Sequence, residues 1–250
     1  MLGNNGVVKD TSVNVVLLTK NSDHLLDKSL SSIYKNVHIK NLIVIDDFST
    51  DRTLEIIQKF NRKFGNILFV QMEGSRANAR TEGIRRVSTD WFMFVDSDVL
   101  LCKDWFKKAQ ADLVRGVGVV WGLNVDVLPN VTNKHVLKFQ SLIARQCFKL
   151  RGGMHDILIF IKAVRGIRIS EQLQAYEDTY IVRWVEDHGY KAVIGRDVYC
   201  LHYKPPENWH LQNGIAKPSW NLDAVLFAHI FLSTCFSTPY SSSTGACNFR

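Results

Sequence analysis

The stretch Trp91–Asp98, WFMFVDSD, decides the fold, because an apolar run ends there in two carboxylates one residue apart. The run has the composition of a buried strand. Two carboxylates at its end cost stability unless a cation compensates them. Mg²⁺ and Mn²⁺ prefer oxygen ligands, and Mg²⁺ typically uses only one or two protein carboxylates beside water and substrate phosphates. The stretch therefore predicts a metal at a strand end, with an ordinary Asp/Ser turn as the alternative.

Outward from this stretch, apolar strands alternate with helical patterns. Such alternation predicts an α/β fold with a mostly parallel, doubly wound central sheet flanked by helices, in which ligands bind outside the carboxyl ends of the strands. Asp46-Asp47 and Asp96-Ser97-Asp98 both fall at such ends, which favours one shared site. Strands are predicted at 13–19, 41–45, 67–71, 91–95, 117–121, 157–161 and 198–201, and helices at 23–33, 54–60, 77–87, 102–115, 133–150 and 177–188.

The first strand is followed by Thr19-Lys20-Asn21-Ser22, which contains no glycine. The glycine-rich fingerprints that cradle dinucleotide or nucleotide phosphates are therefore missing. If phosphates bind at this edge, a metal has to take the place of the glycine loop.

Basic residues are concentrated in one segment of the chain. Lysine and arginine exceed aspartate and glutamate by 31 − 24 = 7, and residues 131–170 alone carry eight basic residues against one acid. This predicts an anionic partner, such as a phosphate-bearing acceptor or a membrane surface, with a solvated basic face as the alternative. Nucleic acid is not expected, because no aromatic-plus-basic recognition motif accompanies the segment.

Five scattered cysteines and the lack of a signal-peptide pattern in residues 1–13 favour a reducing compartment. The expected location is cytoplasmic, with the cytoplasmic membrane face as a candidate. The apolar run 222–236 is too short to span a bilayer and predicts an interfacial helix or one packed on the domain.

Four stretches follow one another along the chain: Ile45-Asp46-Asp47-Phe48-Ser49-Thr50-Asp51-Arg52-Thr53, Ala79-Arg80-Thr81-Glu82-Gly83-Ile84, Asp96-Ser97-Asp98 and Glu177-Asp178. In this order they resemble the motifs of inverting family-2 nucleotide-sugar glycosyltransferases of GT-A fold. One departure is Thr81, where the family usually has Asn, and another is Phe48, where it often has Gly.

The resemblance implies transfer of a sugar from a UDP- or GDP-linked donor to an acceptor hydroxyl, with inversion. Asp178 is implied as the general base, with Glu177 as the second candidate. Mn²⁺ or Mg²⁺ is implied as the cofactor, held by Asp98 and Asp96, with His202 as a further candidate ligand that is otherwise a structural histidine. The implied donor-contacting residues are Thr19, Asp46, Asp47, Arg80, Asp96 and Ser97.

The sequence predicts a GT-A catalytic domain over residues 1–205 and a C-terminal extension over 206–250. Within the domain, the nucleotide-sugar half covers about 13–121 and the acceptor half about 122–205. Two alternative functions stay open: a non-catalytic protein that binds a nucleotide sugar or lipid headgroup, and a sugar nucleotidyltransferase. The second should carry a glycine- and arginine-rich loop after the first strand, which residues 19–23 lack.

Overall fold

The computed structural model describes residues 12–127, 155–171 and 177–203. The chain divides after residue 204 into two units, and every described residue belongs to the first. The described strands are β1 (Val13–Thr19), β2 (Ile39–Asp46), β3 (Ile67–Gln71), β4 (Trp91–Asp96), β5 (Val99–Leu101), β6 (Val117–Asp126), β7 (Asp156–Phe160) and β8 (Lys191–His202). The described helices are α1 (Asp23–Asn36), α2 (Thr53–Phe64), α3 (Arg76–Arg85), α4 (Trp105–Gln110) and α5 (Glu177–Asp187), with a 3₁₀ turn at Ile161–Val164.

No helix within the described ranges is both long and apolar enough to cross a bilayer. The helix predicted at 133–150 and the C-terminal extension with its apolar run 222–236 lie outside the described residues. The domain boundary at 205 therefore stays a prediction.

The strands form one mixed sheet in the order β3-β2-β1-β4-β7-β6-β8-β5. Strands β1 to β4 pair in parallel, as the sequence predicts. The predicted mostly parallel sheet is confirmed, because β6 and β8 also pair in parallel. It departs from a simple doubly wound order, since β7 lies antiparallel between β4 and β6 and β5 lies antiparallel to β8. Buried parallel and antiparallel strands have the same apolar composition, so the reversal cannot be read from the residues of β7.

Side chains alternate between two cores, one on each face of the sheet. On the first face, Val15 and Leu17 of β1 pack with residues of α1, α2 and α4. On the opposite face, Val16 packs with residues of α3, α5 and the 3₁₀ turn. Because both faces of the sheet are covered, β1 and β4 are nearly continuous apolar runs and do not alternate apolar with polar residues.

The helix predicted at 102–115 is much shorter, and this prediction is wrong at both ends. The N–H of Cys102 donates to the carbonyl of Tyr199 at 3.0 Å, so this residue belongs to the contact with β8. Asp104 has a φ of 57°, and its N–H donates to the side chain of Asn36. Helix α4 therefore begins only at Trp105. Strand β6 is longer than predicted, because its pairing with β8 continues to Asp126.

Helices α1 and α2 begin side by side at the carboxyl edge of the sheet, and the Asp51 side chain bonds to both. One of its oxygens accepts from the N–H of Asp23, and the other accepts from the N–H of Thr53, each at 3.0 Å. Burial alone would raise the pKa of Asp51, but these hydrogen bonds lower it overall. One carboxylate thereby fixes the two loops that follow β1 and β2.

Helix α3 lies very close to β1, and Gly83 makes this contact possible. A Cβ atom at position 83 would lie 2.4 Å from Cγ1 of Val16, inside van der Waals contact. Close packing of α3 on β1 therefore explains why the Ala-Arg motif of this chain has a glycine at position 83.

We expect Gly83→Ala to lower the free energy of unfolding by about 1–3 kcal/mol, because the added methyl group overpacks this contact. In a Val16→Ala background the clashing atom is gone, and Gly83→Ala should be neutral or stabilising by up to about 1 kcal/mol, since alanine favours the helix over glycine. Urea unfolding of the four proteins of this double-mutant cycle measures the difference. An equal cost in both backgrounds would contradict the packing explanation.

Candidate functional site

Asp46, at the end of β2, is fully buried and acts as the anchor of the carboxyl edge. Its carboxylate accepts hydrogen bonds from the hydroxyls of Thr19 (2.8 Å) and Ser49 (2.6 Å), from the N–H of Ser49 (2.9 Å) and from the amide of Gln71 (3.3 Å). Four donors offset the cost of burying this group. Asp46 and Thr19 therefore shape the edge from inside, and their contact with a donor stays a prediction.

Asp47 lies beside this anchor but is partly exposed, with 29% of its side chain accessible. Its N–H donates to the carbonyl of Thr19 at 2.9 Å, and its carboxylate pairs with the exposed ammonium of Lys20. Phe48 follows with a φ of 44°, a backbone conformation that glycine adopts at least cost. The turn thus has the backbone conformation that glycine favours, and Phe48 is 56% exposed as a residue.

Arg80 of α3 connects two of the sequence motifs from a buried position. Only 4% of the residue is exposed. Its Nη2 lies 3.5 Å from Oδ1 of Asp96, and its Nε donates to Oε1 of Glu177 at 3.3 Å. The guanidinium also lies 5.0 Å from the ring centroid of Phe94. The Ala-Arg motif, the Asp-x-Asp motif and the Glu-Asp motif therefore meet at one cation.

Asp96 has a second cationic partner in His155, whose Nδ1 lies 2.8 Å from its Oδ2. Burial alone would raise the pKa of Asp96, but the hydrogen bond and charge of His155 and the charge of Arg80 hold it well below its ordinary value. Burial alone would lower the pKa of His155, yet its contact with Asp96 raises it overall. The pair therefore favours imidazolium and carboxylate.

Asp98 faces a different histidine. Its Oδ2 lies 3.2 Å from Nε2 of His202 at the end of β8, and the His202 and His155 rings are 4.4 Å apart between centroids. Asp98 offers the carboxylate oxygen that Mn²⁺ and Mg²⁺ prefer, and the adjacent His202 offers an imidazole nitrogen, a ligand more typical of other transition metals. Three or more candidate ligands do not cluster anywhere in the described ranges. The pair accordingly fits an ion that takes its remaining ligands from water or a substrate.

The two acids at the start of α5 have different surroundings. Glu177 is buried and paired with Arg80. Asp178 is partly exposed, and its Oδ1 accepts from the N–H (2.7 Å) and hydroxyl (3.3 Å) of Thr179. Of the two, Asp178 has the carboxylate that can reach a bound molecule.

Two further motif positions bond within the protein. The Ser97 hydroxyl lies 3.0 Å from that of Ser22, which ties the Asp-x-Asp turn to the loop after β1. The Thr81 hydroxyl donates to the carbonyl of Ala77, one turn earlier in α3. The side chain that replaces the family's Asn is thus used inside its own helix.

Sequence reasoning missed His155 and Asp156, which precede and begin β7. Since β7 is antiparallel to β4, its start lies at the carboxyl edge, where Asp156 pairs in register with Val95. The pair His155-Asp156 directly before the apolar run 157–161 could have indicated these site residues. It would have done so only if the direction of that strand had been known.

Asp156 is a buried acid beneath the site. The indole N–H of Trp105 donates to its Oδ2 at 2.7 Å, and a Cβ on Gly122 would lie only 1.8 Å from the same oxygen. Burial, the largest influence, raises the pKa of Asp156 from 3.8 to about 7. Gly122 on β6 leaves room for the Asp156 carboxyl group. With its raised pKa, this group stays protonated at mildly acidic pH.

Asp156→Asn should therefore change how stability depends on pH. Because the folded-state pKa is the higher one, the wild type loses stability relative to the variant as pH rises from 3.8 to about 7, and the difference then levels off. The total is on the order of a few kcal/mol, and Asn still accepts from Trp105. Denaturant unfolding across pH 4 to 8 measures it, with the exposed Asp90→Asn as a control that shows no such trend. Parallel curves for the wild type and Asp156→Asn would contradict the buried-acid interpretation.

The chain is similar to several known proteins and solved structures. Poly(ribitol-phosphate) beta-glucosyltransferase of Bacillus spizizenii is 22% identical over 223 residues, which cover 79% of this chain and 35% of that protein. Staphylococcus aureus TarS 1–349, solved with UDP-GlcNAc, superposes with a TM-score of 0.61 at 22% identity, over 78% of this chain and 59% of that one. The mannosyltransferase PcManGT of Pyrobaculum calidifontis, solved with GDP-Man and Mn²⁺, gives 0.63 at 17% identity, over 89% and 70%.

These structural likenesses confirm the predicted GT-A-type fold. The chain spans about a third of the length of the Bacillus relative and about a quarter of full-length TarS. The model of glycosyl transferase family 2 matches residues 14–168, which is more than half of the chain. With that match, and with its motifs gathered around Arg80, the chain belongs to glycosyl transferase family 2.

Proposed function

We propose that this chain transfers a sugar from a nucleoside diphosphate sugar to an acceptor hydroxyl, with inversion at the anomeric carbon. The observation that carries the proposal is the contact chain Asp96–Arg80–Glu177, with separations of 3.5 and 3.3 Å. It joins three motifs that are far apart in the sequence at the ligand-binding edge of the sheet.

The donor class is supported by the solved neighbours, which hold UDP-GlcNAc and GDP-Man. Asp47 and Ser97 lie at the ends of β2 and β4 and are accessible enough to contact such a donor. Poly(ribitol-phosphate) in the name of the Bacillus relative is a phosphate-bearing polymer, which agrees with the anionic acceptor that the basic segment predicts.

A divalent metal is part of the proposal, and PcManGT was solved with Mn²⁺. Asp98 and His202 would hold the ion, because Asp96 is already engaged by Arg80 and His155. When bound, Mn²⁺ or Mg²⁺ would act as a Lewis acid that offsets negative charge on a diphosphate.

Asp178 is the proposed general base. It would accept the proton of the acceptor hydroxyl as the hydroxyl oxygen attacks the anomeric carbon and the bond to the diphosphate breaks. Attack on the face opposite the leaving group gives inversion. Glu177 would position this carboxylate, because its own side chain is held by Arg80.

Asp98→Ala should remove the metal dependence of donor binding. We expect the wild type to bind UDP- or GDP-sugars more tightly with Mn²⁺ than without, and the variant to lose about tenfold or more of that gain. Calorimetric titration of a panel of donors, with and without Mn²⁺, measures the effect. Asp90→Ala removes an exposed carboxylate before β4, at the opposite edge, and serves as the matched control. Equal metal dependence in the wild type and Asp98→Ala would refute the assignment.

Asp178→Asn should keep donor affinity and lose turnover by about 10²–10⁴-fold, the usual contribution of a general base. Glu177→Gln is the comparison, because it breaks the pair with Arg80 and should lower the unfolding temperature as well as the rate. Transfer and donor hydrolysis are followed by release of the nucleoside diphosphate. Full turnover in Asp178→Asn would move the base elsewhere, and the absence of any turnover with intact donor binding in the wild type would favour the binding-protein alternative.

A further inference from the structure

A groove of about 760 Å³ lies between α3 and the segment 161–171. One wall is the outer face of α3, with Asn78, Thr81, Glu82 and Arg85. The other wall is the segment from the 3₁₀ turn to Glu171. None of the carboxylates of the candidate site lines the groove. Arg80 of the same helix does not line the groove and instead contacts Asp96 and Glu177.

The groove is lined by more cations than acids. Four basic side chains line it, Arg85, Lys162, Arg165 and Arg168, against Glu82 and Glu171, which leaves 4 − 2 = 2 positive charges. Glu82 is itself paired with Arg85 at 3.7 Å and with Arg86 at 2.7 Å. Within the described part of the chain, no carboxylate lies at ion-pair distance from Lys162, Arg165 or Arg168.

These three cations recur at every third residue and are all exposed. Val164, Ile167 and Ile169 of the same segment are buried against the core, where they line the groove without adding exposed apolar surface. The segment thus presents a polar, positively charged surface. A membrane-inserting segment would need an exposed apolar face, which this one lacks.

The groove leads from one edge of the sheet to the other. Its segment starts at the amino edge, where the N–H of Ile161 donates to the carbonyl of Asp90, just before β4. At its other end the groove is lined by Met72, which follows β3 at the carboxyl edge, and by Asn78 near the start of α3. Helix α3 runs alongside between the same two edges, so an extended ligand in the groove would have one end near the candidate site.

We propose that this groove binds a phosphate-bearing acceptor chain, such as a polyol phosphate polymer, with its phosphates on Lys162, Arg165 and Arg168. The polar side chains of Asn78 and Thr81 face them across the groove, and Met72 and Ile84 supply apolar contact for the carbon skeleton between phosphates. The acceptor role rests on the proposed glycosyl transfer, whereas the binding of polyanions does not.

The test compares two triple variants of equal charge change in the full chain. The first is Lys162→Gln/Arg165→Gln/Arg168→Gln. The control is Lys35→Gln/Lys40→Gln/Arg62→Gln, which removes exposed cations that do not line the groove. Probes are inorganic polyphosphate and glycerol phosphate oligomers, titrated at several salt concentrations, and vesicles of phosphatidylglycerol or phosphatidylcholine. Donor hydrolysis without acceptor is measured in parallel, and the single variant Arg165→Gln covers the case in which the triple variant fails to fold.

We expect the groove variant to bind polyphosphate about tenfold more weakly than the control, with a flatter salt dependence and unchanged donor hydrolysis. Polyanion binding equal to that of the control overturns the proposal. Binding of phosphatidylglycerol vesicles without binding of either oligomer also overturns it, in favour of a membrane-facing surface. A wild type that binds oligomers but never hydrolyses a donor would count against the proposed glycosyl transfer and leave the polyanion groove standing.

Discussion

The buried guanidinium of Arg80 is the constraint on which the candidate site depends. A charge with 4% exposure is tolerated only when it is paired, and its partners come from the end of β4 and the start of α5. The position of the guanidinium is set in turn by the close approach of α3 to β1, which Gly83 permits. The two carboxylates and the Phe94 ring restrict the guanidinium, so the charges at this edge are positioned by the protein itself.

The reversal of the sheet at β7 supplies the second half of the site. In an all-parallel sheet, the residues before a strand lie at the amino edge, far from any ligand. Because β7 runs the other way, His155 comes to Asp96 and Asp156 sits beneath it. β8 then brings His202 to Asp98 by its register with β5. Both members of the Asp-x-Asp motif consequently meet an imidazole, which neither the motif nor its strand would indicate.

Sequence reasoning recovered the parts of this structure that follow from local chemistry. The bounds of β1 and β3 were predicted correctly, because β-branched apolar runs that end in polar residues have little freedom. The convergence of β2 and β4 on one edge followed from the βαβ pattern alone. What failed depended on partners distant in sequence: the direction of β7, the short strand β5 and the early end of the 102–115 helix are all decided by pairing with other strands. His155 was missed for the same reason, since its position depends on the direction of a strand that composition does not reveal.

Two of the three acidic motifs divide their carboxylates between structure and surface. Asp46 and Glu177 are buried and bound by protein donors or by Arg80, while Asp47 and Asp178 are partly exposed. In the Asp-x-Asp motif both side chains are 26% exposed and each contacts a histidine. In the first two motifs the division follows from position, because the earlier acid ends a covered strand or contacts the buried Arg80. A bound acid fixes the backbone of its accessible neighbour, so that the neighbour's side chain loses little freedom when it engages a ligand. Substitutions in the first set should therefore act mainly on stability and those in the second on binding and turnover, a separation that motif matching alone would not make.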